Sequence, residues 1–134
     1  MVRSVLLVDD NPLFLQVLAR YLADCGGGVF RVVGGVVEGR GAVAEARRLR
    51  PDVVLLDLRM PDVSGLELLP RLRSELPTAQ LVVVSLMDPE SARPAALAAG
   101  ADAFVEKLHL ERDLLPALRV PGAWTPQSPA RGEE

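Results

Sequence analysis

The chain has 134 residues, among them one cysteine, one histidine and one lysine, and only 4% are aromatic. A single thiol, Cys25, excludes an intrachain disulfide and suits a reducing cytoplasm. It falls beside Gly26–Gly28 at the end of a helical pattern, where a small buried side chain is expected. Long apolar runs are missing too. No stretch approaches the roughly 20 apolar residues that a membrane span needs. The first short run passes straight into Asp9 and Asp10, which argues against an N-terminal signal. Excess positive charge is also absent: the net charge is −3, the pI is about 5.2, and no run of arginines exceeds the pair Arg47–Arg48. Nothing here favours direct contact with nucleic acid, which needs a basic face to displace counterions.

What is present is a composition of 49% hydrophobic and 25% charged residues, suited to one soluble globular domain with its own core. Short β-branched runs alternate with longer helical patterns, which predicts βαβ units and a parallel sheet. The first strand is Ser4–Val8. Asn11 then caps a helix with Pro12 at its first position, where a missing N–H costs nothing. Leu13, Val17 and the pair Leu18/Tyr21 recur at helical spacing through Asp24. Phe30–Val33 reads as a second strand, and Ala42–Arg50 as a helix closed by Pro51. Val53–Leu56 is a buried third strand. Ser64 and Glu67 form a capping box for a helix reaching Glu75. Leu81–Val84, a helix over Ala92–Ala99, the strand Ala103–Val105 and a last helix over Leu110–Arg119 complete the pattern. Residues 120–134, with Pro121, Pro126 and Pro129, read as a tail or linker, and Trp124 in it is free either to dock or to stay in solvent. Five strands and five helices predict a three-layer α/β/α sandwich. The flavodoxin-like order 2-1-3-4-5 is chosen among the few topologies that right-handed crossovers allow.

In such a sheet, ligands bind beyond the carboxyl ends of the strands. The residues met there are Asp9 and Asp10, Asp57, Ser85 and Lys107. Three carboxylates, a hydroxyl and an ammonium on one edge point to an acidic metal pocket in which an aspartate accepts a phosphoryl group. Lys107 is the one lysine beside 14 arginines, and a compact ammonium is not interchangeable with a planar guanidinium.

Four segments, LLVDDNP at 6–12, PDVVLLDLRMPDVSGLELL at 51–69, VVVSL at 82–86 and AAGADAFVEK at 98–107, resemble the receiver domain of bacterial two-component response regulators. The resemblance covers the chain to Arg119. It implies a receiver domain over 1–119, with Asp57 as phosphoacceptor. Asp9 and Asp10 are implied as Mg²⁺ ligands alongside Asp57 and the backbone carbonyl of Arg59. Ser85 and Lys107 would contact the phosphoryl oxygens, and Phe104 would be the aromatic that moves with Ser85 on switching. The implied partners are a sensor histidine kinase or histidine phosphotransfer protein and an unidentified downstream protein, with a homodimer through the fourth and fifth helices left open. Its own aspartyl phosphorylation and dephosphorylation are the only catalysis implied, with no separate substrate. Arg59 and Met87, each two residues past a pocket residue, would tune the phosphate lifetime by gating water.

The chain departs from that pattern at Leu108, where the family has a proline in a cis peptide; a trans bond is the default for leucine. Pro70, Pro94 and Pro116 fall in helices. Ser91 would cap the fourth helix and so place Pro94 in its first turn, whereas Pro70 and Pro116 predict kinks. The 15 residues after Arg119 are too few for a helix-turn-helix, so the chain reads as a stand-alone receiver or as a receiver with the start of a linker. A phosphorylation-independent interaction module is the alternative function. A magnesium-dependent phosphatase of the haloacid dehalogenase type ranks last, because its acids are spaced Asp-x-Asp and these are adjacent.

Overall fold

The computed structural model describes residues 2–118; the 120–134 segment and Trp124 lie outside the described residues. Five parallel strands alternate with five helices. They are β1 (Arg3–Val8), α1 (Pro12–Cys25), β2 (Phe30–Val36), α2 (Ala42–Leu49), β3 (Val53–Leu56), α3 (Gly65–Glu75), β4 (Gln80–Ser85), α4 (Pro89–Ala99), β5 (Ala103–Glu106) and α5 (Leu110–Ala117). The sheet order is β2-β1-β3-β4-β5, as chosen from the sequence, so the ends of β1 and β3 lie side by side. No helix among the described residues is long and apolar enough to cross a membrane.

The layers follow from strand alternation. Val5, Leu7, Leu55, Val82, Val84 and Val105 face α1 and α5, where Leu18, Leu22, Leu114 and Leu118 cover them. Leu6, Val8, Val54, Leu56, Leu81 and Val83 face α2, α3 and α4, where alanines and leucines such as Ala46, Leu68, Leu72 and Ala96 pack. Both faces of the central strands are thereby apolar, which explains their unbroken Val/Leu composition. Opposite the site, Arg73 ties the layers together. Its guanidinium donates to the carbonyls of Ala79 (2.7 Å) and Gly100 (3.0 Å) and pairs with Asp102 at 2.7 Å.

Several local expectations need correction. The buried stripe of α1 is Leu18 and Leu22 with Phe14 packed beside them; Leu13 is 69% and Val17 54% exposed. Stripes 13/17/21 and 14/18/22 are both apolar, so periodicity supplied the spacing but not the phase. Cys25 ends the helix exposed. Strand β2 continues three residues past Val33, and Gly34 sits under α2: a Cβ there would come 2.8 Å from Leu49 Cδ1. Helix α2 stops at Leu49, and Arg50 caps it in the left-handed region at φ 48°. Ser64 caps α3 by accepting from Leu66 N–H rather than from Glu67. Helix α4 begins earlier than expected, capped by Asp88 with Pro89 in its first turn. Pro94 therefore lies inside the helix. Pro70, Pro94 and Pro116 all sit on exposed helix positions, where a carbonyl left without its N–H partner can be hydrated. The last helix ends at Ala117, and a 3₁₀ turn, Lys107–His109, precedes it.

One glycine controls how closely α3 approaches the end of β3. A Cβ on Gly65 would lie 2.5 Å from the Asp57 carbonyl oxygen and 2.7 Å from Leu58 Cα, both backbone atoms that cannot swing aside. Gly65→Ala should therefore lower unfolding stability by about 1–3 kcal/mol, the usual cost of overpacking. Urea denaturation measures it, and an unchanged midpoint would mean that α3 can shift freely.

Candidate functional site

The site is built where β1 and β3 end. Asp57 N–H donates to the Val8 carbonyl at 2.9 Å, and Asp9 N–H to the Val36 carbonyl at 3.0 Å. The ladder thus continues one residue past the strands and brings the two carboxylates together before any side-chain contact is made. Asp9 and Asp57 are buried, while Asp10 is exposed beside them. One oxygen from each of the three lies within 4.8 Å of the others. At that separation each like-charged pair repels by about 3.5 kcal/mol at an effective dielectric of 20.

Lys107 offsets part of this repulsion. Its ammonium lies 2.7 Å from Asp9 Oδ2 and 3.5 Å from Asp57 Oδ2, and its side chain is 11% exposed. The trans peptide before Leu108 therefore leaves the ammonium inside the cluster. Asp9 also accepts from Asn11 N–H at 2.9 Å, and Asp57 from Arg59 N–H at 3.4 Å. Ser85, fully buried at the end of β4, accepts from Met87 N–H at 3.0 Å through its hydroxyl oxygen. Phe104 is buried in β5, with the Arg93 guanidinium carbon 5.3 Å from its ring centroid. Beside the carboxylates opens a cleft of about 650 Å³ whose lining includes Asp10, Arg59, Met60, Val63 and Met87. Arg59 and Met87 thus share its wall with one of the acids.

Three carboxylates against one ammonium leave two negative charges uncompensated, a deficit that suits a divalent cation. Oxygens bound to one Mg²⁺ lie at most about 4.2 Å apart, so side chains within 4.8 Å need little closure. The donors are all oxygen, which favours Mg²⁺ over softer metals. The residues present fit such an ion.

Two contributors escaped the sequence reading. Asp62, in the loop after β3, accepts from Gly39 N–H at 3.0 Å and Arg40 N–H at 2.9 Å, tying that loop to the 3₁₀ turn Gly39–Gly41 before α2. An Asp following Pro61 was a visible turn former, but its partners were not. Phe14 places its ring centroid 4.2 Å from the Lys107 ammonium. The 14/18/22 apolar stripe was the available signal for it.

Burial is the largest influence on Asp57 and raises its pKa above the ordinary carboxylate value; Lys107 pulls it down, Asp9 pushes it up, and the Arg59 N–H lowers it. A raised folded-state pKa favours the protonated form. The associated stability is complete below the unfolded pKa and is lost as pH rises through the folded one. At neutral pH the ionised Asp57 therefore costs stability. In metal-free buffer, Asp57→Asn should melt a few degrees higher than wild type at about pH 7, and the margin should vanish toward about pH 4. Equal melting temperatures at neutral pH would show that the carboxylate is not strained.

The sequence profile described as the response regulator receiver domain matches residues 5–119. The probable transcriptional regulatory protein TcrX of Mycobacterium tuberculosis is 40% identical over 104 residues, covering 78% of this chain and 43% of TcrX. The protein-glutamate methylesterase/protein-glutamine glutaminase 2 of Anaeromyxobacter dehalogenans is 41% identical over 110 residues, covering 82% of this chain and 31% of that protein. The chain thus spans less than half the length of these two relatives. Among solved structures, a response regulator protein from Burkholderia pseudomallei with a phosphorylated aspartic acid, calcium ion and citrate aligns with a TM-score of 0.76 at 26% identity, over 87% of this chain and 66% of that one. The profile match takes in every strand end that contributes to the acidic cluster, and on that ground the chain belongs to the response regulator receiver domain family.

Proposed function

We propose that the chain is a phosphorelay switch that takes a phosphoryl group onto Asp57 from a histidine kinase or histidine phosphotransfer protein. The observation that carries this reading is a buried carboxylate, Asp57, held beside two further acids and within 3.5 Å of the single lysine. A relative of known structure with a phosphorylated aspartic acid supports the same assignment.

The carboxylate of Asp57 attacks the phosphorus and the donor leaves, giving an acyl phosphate. It is already ionised, so no general base is required. Asp9, Asp10, Asp57 and the Arg59 carbonyl are the residues that would hold Mg²⁺. When bound, the ion supplies positive charge to the phosphoryl oxygens. Lys107 supplies charge from the other side and Ser85 a hydroxyl donor. Ser85 currently accepts from Met87 N–H, which leaves its own proton free to be donated. In this reading residues 1–119 form a cytoplasmic phosphoacceptor domain, and the proline-rich 120–134 segment is a tail or linker. The downstream partner is a protein; a homodimer through α4 and α5 remains within the same reading. The two relatives' names, a transcriptional regulator and a methylesterase, carry different outputs, so the reading stops at the switch.

A second reading, an interaction module that works without phosphate, draws on Phe104. Its ring is already buried and covered by Arg93, so a partner surface on α4 and β5 exists before any phosphoryl group arrives.

Incubation with acetyl phosphate and Mg²⁺ should add one phosphoryl mass to the wild type and none to Asp57→Asn, and chelation should abolish the reaction. Lys107→Ala should slow it by about 10²–10³, the usual loss on removing one charge-stabilising donor. Labelling of Asp57→Asn at the wild-type rate would move the acceptor elsewhere. Beryllofluoride with Mg²⁺ separates the two readings: shifted Phe104 ring resonances by NMR support the switch, and unchanged resonances at saturating reagent support the constitutive module.

A further inference from the structure

Among the described residues Lys107 is the only cation in the acidic cluster, and its own loop restrains the backbone, through Leu110 N–H to the Lys107 carbonyl and His109 Nδ1 3.4 Å from Glu106 Oε2, more than the ammonium. Lys107 opens the 3₁₀ turn Lys107–His109, which has no side-chain cap. The next residue, Leu108, is 81% exposed. The ammonium itself is held by three groups: Asp9 Oδ2 at 2.7 Å, Asp57 Oδ2 at 3.5 Å, and the ring of Phe14 at 4.2 Å from its centroid. On the reading above, the first two are the carboxylates that a metal and a phosphoryl group would engage. The third is not consumed.

We propose that Phe14 is a positioning residue for Lys107, its ring face seating the ammonium so that the lysine stays at the pocket when the carboxylates are otherwise engaged. The proposal rests on the reading of Asp57 as phosphoacceptor given above. An aromatic face attracts a cation through its quadrupole, at centroid distances out to about 6 Å and without a strict direction. The ammonium can therefore move between Asp9 and Asp57 and keep this contact. A hydrogen bond from a fixed donor or acceptor would not survive that motion. The contact is also shielded from water, since the Lys107 side chain is 11% exposed, and shielding strengthens it.

Phe14 is itself fixed by the acids' own segment. The side-chain oxygen of Asn11 accepts from Leu13 N–H at 3.0 Å and from Phe14 N–H at 3.3 Å, while Asn11 N–H donates to Asp9 Oδ1 at 2.9 Å. Asp9, Asn11, Phe14 and Lys107 form a closed ring of contacts, because Lys107 returns to Asp9. The ring is placed by the helix cap, not by the turn that carries the lysine. That arrangement supplies from α1 the restraint that Leu108 does not supply from its own side.

Fluorinated phenylalanines at position 14 test this on the intact chain, since each fluorine weakens the ring quadrupole while barely changing shape. The rate of labelling by acetyl phosphate should fall stepwise with one, two and three fluorines. It should drop about tenfold in Phe14→Leu and return toward wild type in Phe14→Tyr. In the protein without phosphate, the Lys107 ε-methylene protons should be shifted upfield by the ring and lose that shift in Phe14→Leu. Rates that ignore the fluorine number, even if Phe14→Leu is slow, would reduce Phe14 to packing and overturn the proposal; so would ε-methylene protons without a ring shift. Failure of the wild type to label at all would strike the phosphoacceptor reading instead, and the ε-methylene shift would then decide the Phe14 seat alone.

Discussion

Everything at the working edge of this domain follows from holding like charges together. Asp9 and Asp57 are brought side by side by backbone bonds to Val36 and Val8, which do not depend on side-chain charge. The sheet imposes the repulsion, and the side chains must then answer it. Lys107 answers part, and the remaining two negative charges leave a deficit that suits a divalent cation. The buried position of Asp57 sharpens the effect, because desolvation penalises the same charge that its neighbours repel.

The rest of the architecture is consistent with a frame built to bear that strain. Apolar strands covered on both faces supply a rigid floor, and Gly65 lets α3 press directly on the backbone of Asp57 and Leu58. Asp62 ties the loop after β3 to the turn before α2, so one wall of the neighbouring cleft is fixed through backbone N–H groups. On the other side the wall is less regular. Leu108 is exposed, and α3, α4 and α5 each carry a proline at a position where the helix ladder misses a rung.

Much of this was legible from residues alone. Strand identity and the group of residues at the strand ends could be read because each signal was local: β-branched runs, caps, and acids at the ends of runs. The sheet order was a choice among the few that right-handed crossovers allow, and the structure has that order. What escaped was relational. Two apolar stripes on α1 satisfied the same spacing, and only packing against the sheet selects Phe14, Leu18 and Leu22. The expected set included Leu18 and Tyr21, which do pack there, but Leu13 and Val17 stood in place of Phe14 and Leu22, and Phe14 went unnoticed as a neighbour of Lys107. The second strand was read only to Val33, and the proximity of Leu49, which leaves no room for a side chain at Gly34, was not visible in the sequence. Ser91 was expected to cap α4, but Asp88, three residues earlier, takes that role. At Leu108 the trans peptide expected from its side chain is the one present, and the ammonium still reaches the acids.

Arg73 has a mechanical consequence. Its guanidinium grips the carbonyls of Ala79 and Gly100 and the carboxylate of Asp102, so the ends of α3 and α4 remote from the acids share one anchor with the edge of β4. Helix α4 has 11 residues and is about 16 Å long at 1.5 Å per residue. It is anchored at Gly100, and its other end, capped by Asp88, begins just after Ser85. A displacement of about 1 Å at that end is a tilt of only about 4° over this length, and nearly all of the travel appears at the pocket end.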